Sequence, residues 1–241
     1  MKSSYINDVG RLVLIVVGAP GSGKGTQCEK VASHFRIPHI STGTMLRNHN
    51  AQLNSRDANS MIHGELISDA VVCSLLINRI SAVDCKRGFI LDGFPRTVNQ
   101  AQLLDSYLRK AYPEGYCKVV LELITSKATV TRRLSARRIC PLCNSVFGRA
   151  SGGFSTVDTC PSDGATLTKR MDDREDVVLR RLQAYQGYTR PILSYYCNAP
   201  LLQVDGEGHE DEVTSRILER ILAVATFQTG RAIEHKSQTM Y

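Results

Sequence analysis

The stretch LVLIVVGAPGSGKGT, Leu12–Thr26, constrains this chain more than any other. Leu12–Val17 is an unbroken apolar run rich in β-branched residues, the pattern of a strand buried on both faces. It runs straight into G-x-x-x-x-G-K, spelled by Gly18, Gly23 and Lys24, and a helical pattern follows over Lys24–Phe35. Strand, glycine turn and helix in that order aim backbone N–H groups and a helix N-terminus at one anion, and Lys24 adds a charge. Without those flanks the match reads as a glycine turn with a surface lysine; with them it reads as a phosphate cradle. One letter departs from the general motif. The place after the lysine, where Ser or Thr ordinarily meets Mg²⁺, holds Gly25, and Thr26 comes one position late.

The rest of the 241 residues suits one large domain or a domain carrying insertions. Three more short apolar runs end at polar or glycine corners: Phe89–Leu91 before DGFPRT, Lys118–Ile124, and Leu201–Val204 before DG. Helical patterns lie between them, at Ala70–Ile80, Val98–Arg109 and Ala128–Arg137. Strands alternating with helices predict an α/β fold with a central parallel sheet, whose ligands sit beyond the carboxyl ends of the strands. Two segments interrupt the rhythm. Ser41–Ile67 is polar and mostly helical with no strand pattern, and Ile139–Thr168 is rich in Gly, Ser, Thr and Cys, with too few large apolar residues for a core of its own. Residues 1–10 and the tail after Thr226 read as loose ends, and no internal repeat is visible.

No apolar run approaches the length of a membrane span, and Leu12–Val17 is too short for a signal-peptide core. The formal charge of +7 permits an anionic partner without choosing between nucleotides and nucleic acid. Of the eight cysteines, Cys28, Cys73, Cys85, Cys117 and Cys197 stand among apolar neighbours and read as small core hydrophobes. Cys140, Cys143 and Cys160 cluster, which in a cytoplasmic chain, the compartment expected here, suggests metal rather than disulfides. CPLC and CPSD set Cys140, Cys143, Cys160 and Asp163 at the spacing of two metal-binding knuckles. A carboxylate oxygen ligates Zn²⁺ nearly as well as a thiolate, so these four residues predict a closed, structural zinc site. The competing reading is a metal-free segment held by hydrogen bonds, for which three thiols make a poor polar network.

Four further motifs follow the glycine loop in order: STGTMLR at Ser41–Arg47, DGFPRT at Asp92–Thr97 with Gln100, ARR at Ala136–Arg138, and RMDD at Arg170–Asp173. Together they resemble the adenylate kinase family over about residues 11–222, and the long insertion resembles its long-form branch with a zinc-binding lid, which also uses Asp at the fourth ligand place. The resemblance implies a P-loop NTPase three-layer fold. Its core would be discontinuous, from 1–40, 68–135 and 174–241, with an inserted helical NMP-binding domain at 41–67 and a zinc-ribbon-like lid at 136–173. It implies reversible conversion of ATP and AMP to two ADP by a monomer, with Mg²⁺ accompanying ATP. In that family the loop reads G-x-P-G-x-G-K-G-T, so Gly25 is the family's own letter. The resemblance further implies that nucleotide phosphates and waters hold Mg²⁺, with Asp92 fixing the waters. The usual second carboxylate is missing, because the family's STGD is STGT here and Thr44 stands in its place.

Moving a phosphoryl group between nucleotides requires positioning and charge neutralisation, and planar guanidiniums grip phosphates in a bidentate manner. A single arginine is ordinarily a solvated surface charge; within matched motifs, Lys24, Arg96, Arg137, Arg170 and Arg181, with Asp92, are the implied catalytic set. The implied ATP contacts are Gly21, Ser22, Gly23, Lys24, Gly25 and Thr26, then Arg133 stacked on the adenine, and Arg137, Val146, Phe147 and Gly208. Phe147 equally suits packing of a small zinc knuckle. On the AMP side the resemblance implies Thr42, Arg47, Glu65, Leu66 and Ile67, then Gly93, Phe94, Pro95, Arg96 and Gln100, with Arg170 and Arg181. Asp172 and Asp173 suit both a helix N-terminus and the organisation of the lid arginines. His39, His63 and His209 show no partner pattern and read as structural.

Two alternatives remain at this point. Another nucleoside monophosphate kinase is one, although Thr42 and Gln100 favour adenine, pyrimidine kinases of this fold usually carry Ala and Asn there, and GTP-using relatives generally lack the lid cysteines. The other is a zinc-ribbon nucleic-acid-binding ATPase, which needs basic and aromatic residues interleaved along a strand. The cluster instead has Phe147 and Phe154 among Ser and Gly. Neither nucleic acid nor membrane is an expected partner.

Overall fold

A computed structural model describes residues 11–49, 55–148 and 158–238, with side chains described up to 224. Its centre is β1 (Leu12–Val17), buried at every position. β1 lies between β3 (Gly88–Asp92) and β4 (Cys117–Ile124), with β2 (His39–Ser41) and β7 (Leu201–Asp205) at the edges, all parallel. Leu12 is in register with both Gly88 and Cys117. A Cβ on Gly88 would sit 2.1 Å from the Leu12 carbonyl oxygen, so no side chain fits where β3 starts.

Successive strand residues point to opposite faces, which divides the apolar residues of β1 between two cores. Val13, Ile15 and Val17 pack with residues of α4 (Asp69–Ile80), α5 (Val98–Ala111) and α8 (Pro191–Tyr195). Leu12, Leu14 and Val16 pack with α1 (Lys24–Phe35) and α9 (Glu210–Gln238). Helix, sheet and helix make the three layers that the alternating pattern predicts. The strand order β2-β3-β1-β4-β7 sends the chain first to one side of β1 and later to the other. The loops leaving β1 and β3 therefore diverge and open a crevice at their carboxyl ends.

The interruptions are built differently. After β2 come α2 (Thr42–Asn48) and α3 (Ser55–His63). The second interruption follows α6 (Lys127–Ala136) and forms an antiparallel ribbon of β5 (Arg138–Ile139) and β6 (Val146–Phe147), with isolated bridges Ile139–Thr168 and Thr159–Thr166. The chain returns through a 3₁₀ turn at Met171–Asp173 into α7 (Glu175–Ala184), then a π-helical turn at Tyr185–Thr189 leads to α8.

Three expectations change. Ser41 belongs to a strand, because β2 has only three residues and is too short to display alternation. α9 continues to Gln238, where the sequence reading expects a loose end after Thr226. Cys197 is exposed, whereas Cys28, Cys73, Cys85 and Cys117 are buried as expected. Residues 1–10 and Phe154 lie outside the described residues.

Candidate active site

The crevice is a cleft of about 930 Å³, walled by the glycine loop, both interruptions, and the loops after β3 and β7. Gly21 (φ 80°) and Gly23 (φ 101°) hold left-handed backbone that turns the loop into the N-terminus of α1. Lys24 Nζ donates to the carbonyls of Gly18 (2.7 Å) and Ala19 (2.8 Å), so the ammonium lies along the loop's inner edge. Burial is the main cause that lowers its pKa to about 8, the charges of Arg96 and Arg181 lower it further, and Asp92 opposes them. A Cβ on Gly25 would stand 3.6 Å from Asp92 Oδ2, so the space of the missing hydroxyl residue faces the carboxylate that ends β3.

Asp92 has a partner that the sequence hides. His39 Nε2 lies 3.3 Å from Asp92 Oδ2, and both side chains are largely buried. Burial raises the Asp92 pKa, but the His39 hydrogen bond and the charges of Lys24, His39 and Arg96 outweigh it and hold the carboxyl below its usual range. His39, which shows no partner pattern in the sequence, thus has a structural partner in Asp92. Its signal was invisible because 53 positions separate the pair.

Across the cleft, Arg47, Arg96, Arg137, Arg170 and Arg181 converge from α2, the loop after β3, the end of α6, the return of the second interruption and α7. Asp173 takes both arms of the Arg137 fork, one at 2.6 Å from Nε and the other from Nη2. Arg181 Nη1 donates to the Asp172 carbonyl at 2.9 Å and pairs with its carboxylate at 3.0 Å. Burial, then mutual repulsion, lowers the pKa of Arg170 to about 10; Arg47, Arg96 and Arg181 are lowered by burial first, with neighbouring arginines adding to it. Lys24, these five guanidiniums and Arg133 outnumber the acids that line the cleft, among them Asp92 and Asp172, so the wall is cationic. Among the described residues, only Ser22 Oγ and Arg170 Nε are buried side-chain polar atoms without a hydrogen-bond partner, and both residues line this cleft. Buried donors are ordinarily satisfied, so orphans gathered in one cationic cleft mark where an anion belongs.

Most residues singled out from the sequence meet on this wall: Gly21 to Thr26, Asp92, Gly93, Pro95, Glu65, Leu66, Val146, Phe147 and Gly208 join the five arginines. Arg133 is there too, its guanidinium donating to the carbonyls of Ser22 and Gly206, each at 2.9 Å. Thr42, Ile67, Phe94 and Gln100 are buried one layer behind the wall. Thr42 Oγ1 donates to the Gly93 carbonyl at 2.9 Å, an oxygen that also accepts from Arg96 Nε. Gln100 accepts from the Arg96 N–H (2.7 Å) and donates to Asp69 (2.7 Å), so it braces the loop that carries Arg96. Residues that sequence reasoning missed are Asp69, His39, and Glu207, which accepts from Ser126 N and Thr129 Oγ1 at the start of α6. His209, read as structural, lines the cleft.

In the second interruption, the sulfurs of Cys140, Cys143 and Cys160 and a carboxylate oxygen of Asp163 all lie within 4.8 Å of one another. Cys140 donates to Asp163 (3.2 Å), and the Cys143 and Cys160 sulfurs are 3.6 Å apart. The two knuckles turn alike. Asn144 (φ 60°) and Gly164 (φ 73°) are left-handed one place after each pair, and their N–H groups donate to the Cys140 and Cys160 carbonyls. The Leu142 and Cys143 N–H groups donate to Cys140 Sγ at 3.3 and 3.4 Å, so the first knuckle folds around this sulfur.

The family model described as adenylate kinase matches residues 16–200. The chain belongs to the adenylate kinase family. A protein named adenylate kinase from Acidothermus cellulolyticus is 41 % identical over 208 residues, which are 84 % of this chain and 94 % of that one. Those from Caldicellulosiruptor saccharolyticus and Acholeplasma laidlawii are 38 % and 36 % identical, covering 86 % of this chain and 98 % and 96 % of theirs. Among the described residues, no helix is long and apolar enough to cross a membrane.

Proposed function

We propose that this adenylate kinase family member catalyses ATP + AMP ⇌ 2 ADP and so balances adenine nucleotides. The observation that carries the reading is the cationic cleft in which the orphaned Ser22 Oγ and Arg170 Nε stand among Lys24 and five guanidiniums. Residues 18–26 cradle the donor phosphates through backbone N–H groups and Lys24, while Arg133, Val146, Phe147 and Gly208 flank the donor base. Arg47 and Arg96 take the AMP phosphate, and Thr42, Glu65, Leu66, Ile67, Gly93, Phe94, Pro95 and Gln100 shape the AMP side. An AMP phosphate oxygen attacks the γ-phosphorus, the bond to the β-phosphate oxygen breaks, and charge on the transferring group is met by Lys24, Arg96, Arg137, Arg170 and Arg181. No protein nucleophile enters. Residues 41–67 and 136–173 act as closing domains on the core and keep water from the phosphoryl group.

Mg²⁺ bound with ATP would neutralise phosphate charge. Asp92 fits it, since the carboxylate is held ionised and faces the gap at Gly25. For the lid, the three-sulfur, one-oxygen set with its matched knuckles fits a structural Zn²⁺, which would staple a segment poor in apolar residues. We place the protein in the cytoplasm as a monomer. The test is ADP formation from Mg-ATP with AMP, CMP, UMP and GMP compared as acceptors. AMP is expected to be preferred strongly, and a better rate with CMP, UMP or GMP would overturn the adenine assignment.

A further inference from the structure

Besides the lid set, one group of metal-ligating side chains converges among the described residues: Cys28, His39 and Asp92, whose sulfur, ring nitrogen and carboxylate oxygen lie within 4.8 Å of one another. The sheet explains the meeting. His39 pairs with Ile90 and Ser41 with Asp92, so His39 and Asp92 are diagonal neighbours on one face of the β2–β3 pair. That is the face α1 covers, since Ile90 packs with Cys28, Val31 and Phe35 of that helix. Cys28 lies one turn into α1 and only 1 % exposed, beneath the two cleft-lining side chains.

We propose that Cys28, His39 and Asp92 form an inhibitory site for Zn²⁺ and comparably soft divalent ions. The 3.3 Å between His39 Nε2 and Asp92 Oδ2 matches the edge of a tetrahedron with metal–ligand bonds of about 2.0 Å. The donors are one sulfur, one nitrogen and one oxygen, a set that suits zinc and not Mg²⁺, which takes oxygen ligands. His39 and Asp92 line the cleft, so an ion enters from the substrate side and Cys28 closes on it from below. Burial pushes the Cys28 thiol well above its ordinary pKa, so the bound ion displaces a proton to solvent as the sulfur ligates. Lys24 and Arg96 act electrostatically on Asp92 from the same cleft and weaken the site relative to the lid, which therefore fills first. Inhibition follows from the proposed role of Asp92 toward Mg²⁺ and rests on that reading, because the carboxylate cannot serve both ions. Binding itself does not rest on it.

The test keeps the two apart. Full-length protein with its lid filled by zinc is titrated with Co²⁺, and thiolate charge-transfer absorption is followed. A further equivalent with single-thiolate absorption is expected in wild type and absent in Cys28→Ala and Cys28→Val, the second of which keeps the core filled should the first unfold. In parallel, Zn²⁺ is added to the assay at fixed Mg-ATP and AMP. Cys28→Ala should retain its uninhibited rate and raise half-inhibitory Zn²⁺ by about tenfold or more, since losing even an outer-shell partner has that effect. Half-inhibitory zinc unchanged in that variant, or the same extra cobalt equivalent in both cysteine variants, would overturn the proposal. Cobalt binding that depends on Cys28 without zinc inhibition would keep the site and overturn its inhibitory role.

Discussion

Asp173→Asn removes the carboxylate charge that pairs with Arg137 and Arg181 and keeps the side-chain volume. The Asp173 side chain is 1 % exposed and accepts the Arg137 fork from both arms, with Arg181 Nη1 3.5 Å away. An amide keeps one acceptor oxygen and turns an N–H₂ toward a guanidinium, so one arm of the fork is left facing a donor. Breaking one side of a fully buried ion pair destabilises by about 3–5 kcal/mol. Arg137 retains 16 % exposure on the cleft wall, so solvent relieves part of this and the expected loss is about 2–3 kcal/mol. At about 2–4 °C per kcal/mol for a domain of this size, the Tm should fall by about 5–10 °C. Calorimetry checks this with and without saturating pyrophosphate, an anion that supplies charge where the carboxylate was lost. The deficit should shrink when pyrophosphate is bound. A Tm within about 1 °C of wild type without the anion would refute the view that Asp173 holds the arginines together.

Lys24→Met should lower kcat by several orders of magnitude with unchanged circular dichroism, and near-native activity would remove Lys24 from the proposed mechanism. The Lys24 pKa lies below its unfolded value, so the native state binds fewer protons between about pH 8 and 10.5, and its contribution to stability improves as pH rises through that window. Phosphate binding needs the charged form, so kcat/KM for Mg-ATP should decline above about pH 8, a decline that Lys24→Arg should remove from the pH profile. Thr44 Oγ1 accepts from Arg47 Nη2 at 3.1 Å, and Thr44→Asp would restore a carboxylate there. It should tighten Mg²⁺ dependence or raise kcat by about fivefold, equivalent to about 1 kcal/mol and the scale of a bond through ordered water, whereas superimposable magnesium titrations would mean that Asp92 and the phosphates suffice. Elemental analysis should find one lid zinc per chain in chelator-free protein, and Cys143→Ser should lose thermal stability before catalysis; protein purified without zinc would refute the lid assignment.

Local features were the legible ones. The glycine loop announces itself because strand, turn and helix follow without interruption, and α1 spans the same Lys24–Phe35 that its pattern predicts. The meeting of Cys140, Cys143, Cys160 and Asp163 was equally legible, since the spacing within each pair is a local constraint. What stayed hidden depends on pairing across the fold. Nothing near His39 indicates Asp92, nothing near Gln100 indicates Asp69, and nothing near Arg133 indicates the Gly206 carbonyl. β2 was hidden for another reason: a three-residue edge strand gains its identity from the register with β3, not from its own pattern.

The most direct test of the central claim starts from the product. Purified protein incubated with Mg²⁺ and ADP alone, with nucleotides resolved by ion-exchange chromatography, should form ATP and AMP in equal amounts and release no inorganic phosphate. Phosphate accumulating in place of ATP, or ADP left unchanged, would contradict phosphoryl transfer between two nucleotides held in this cleft.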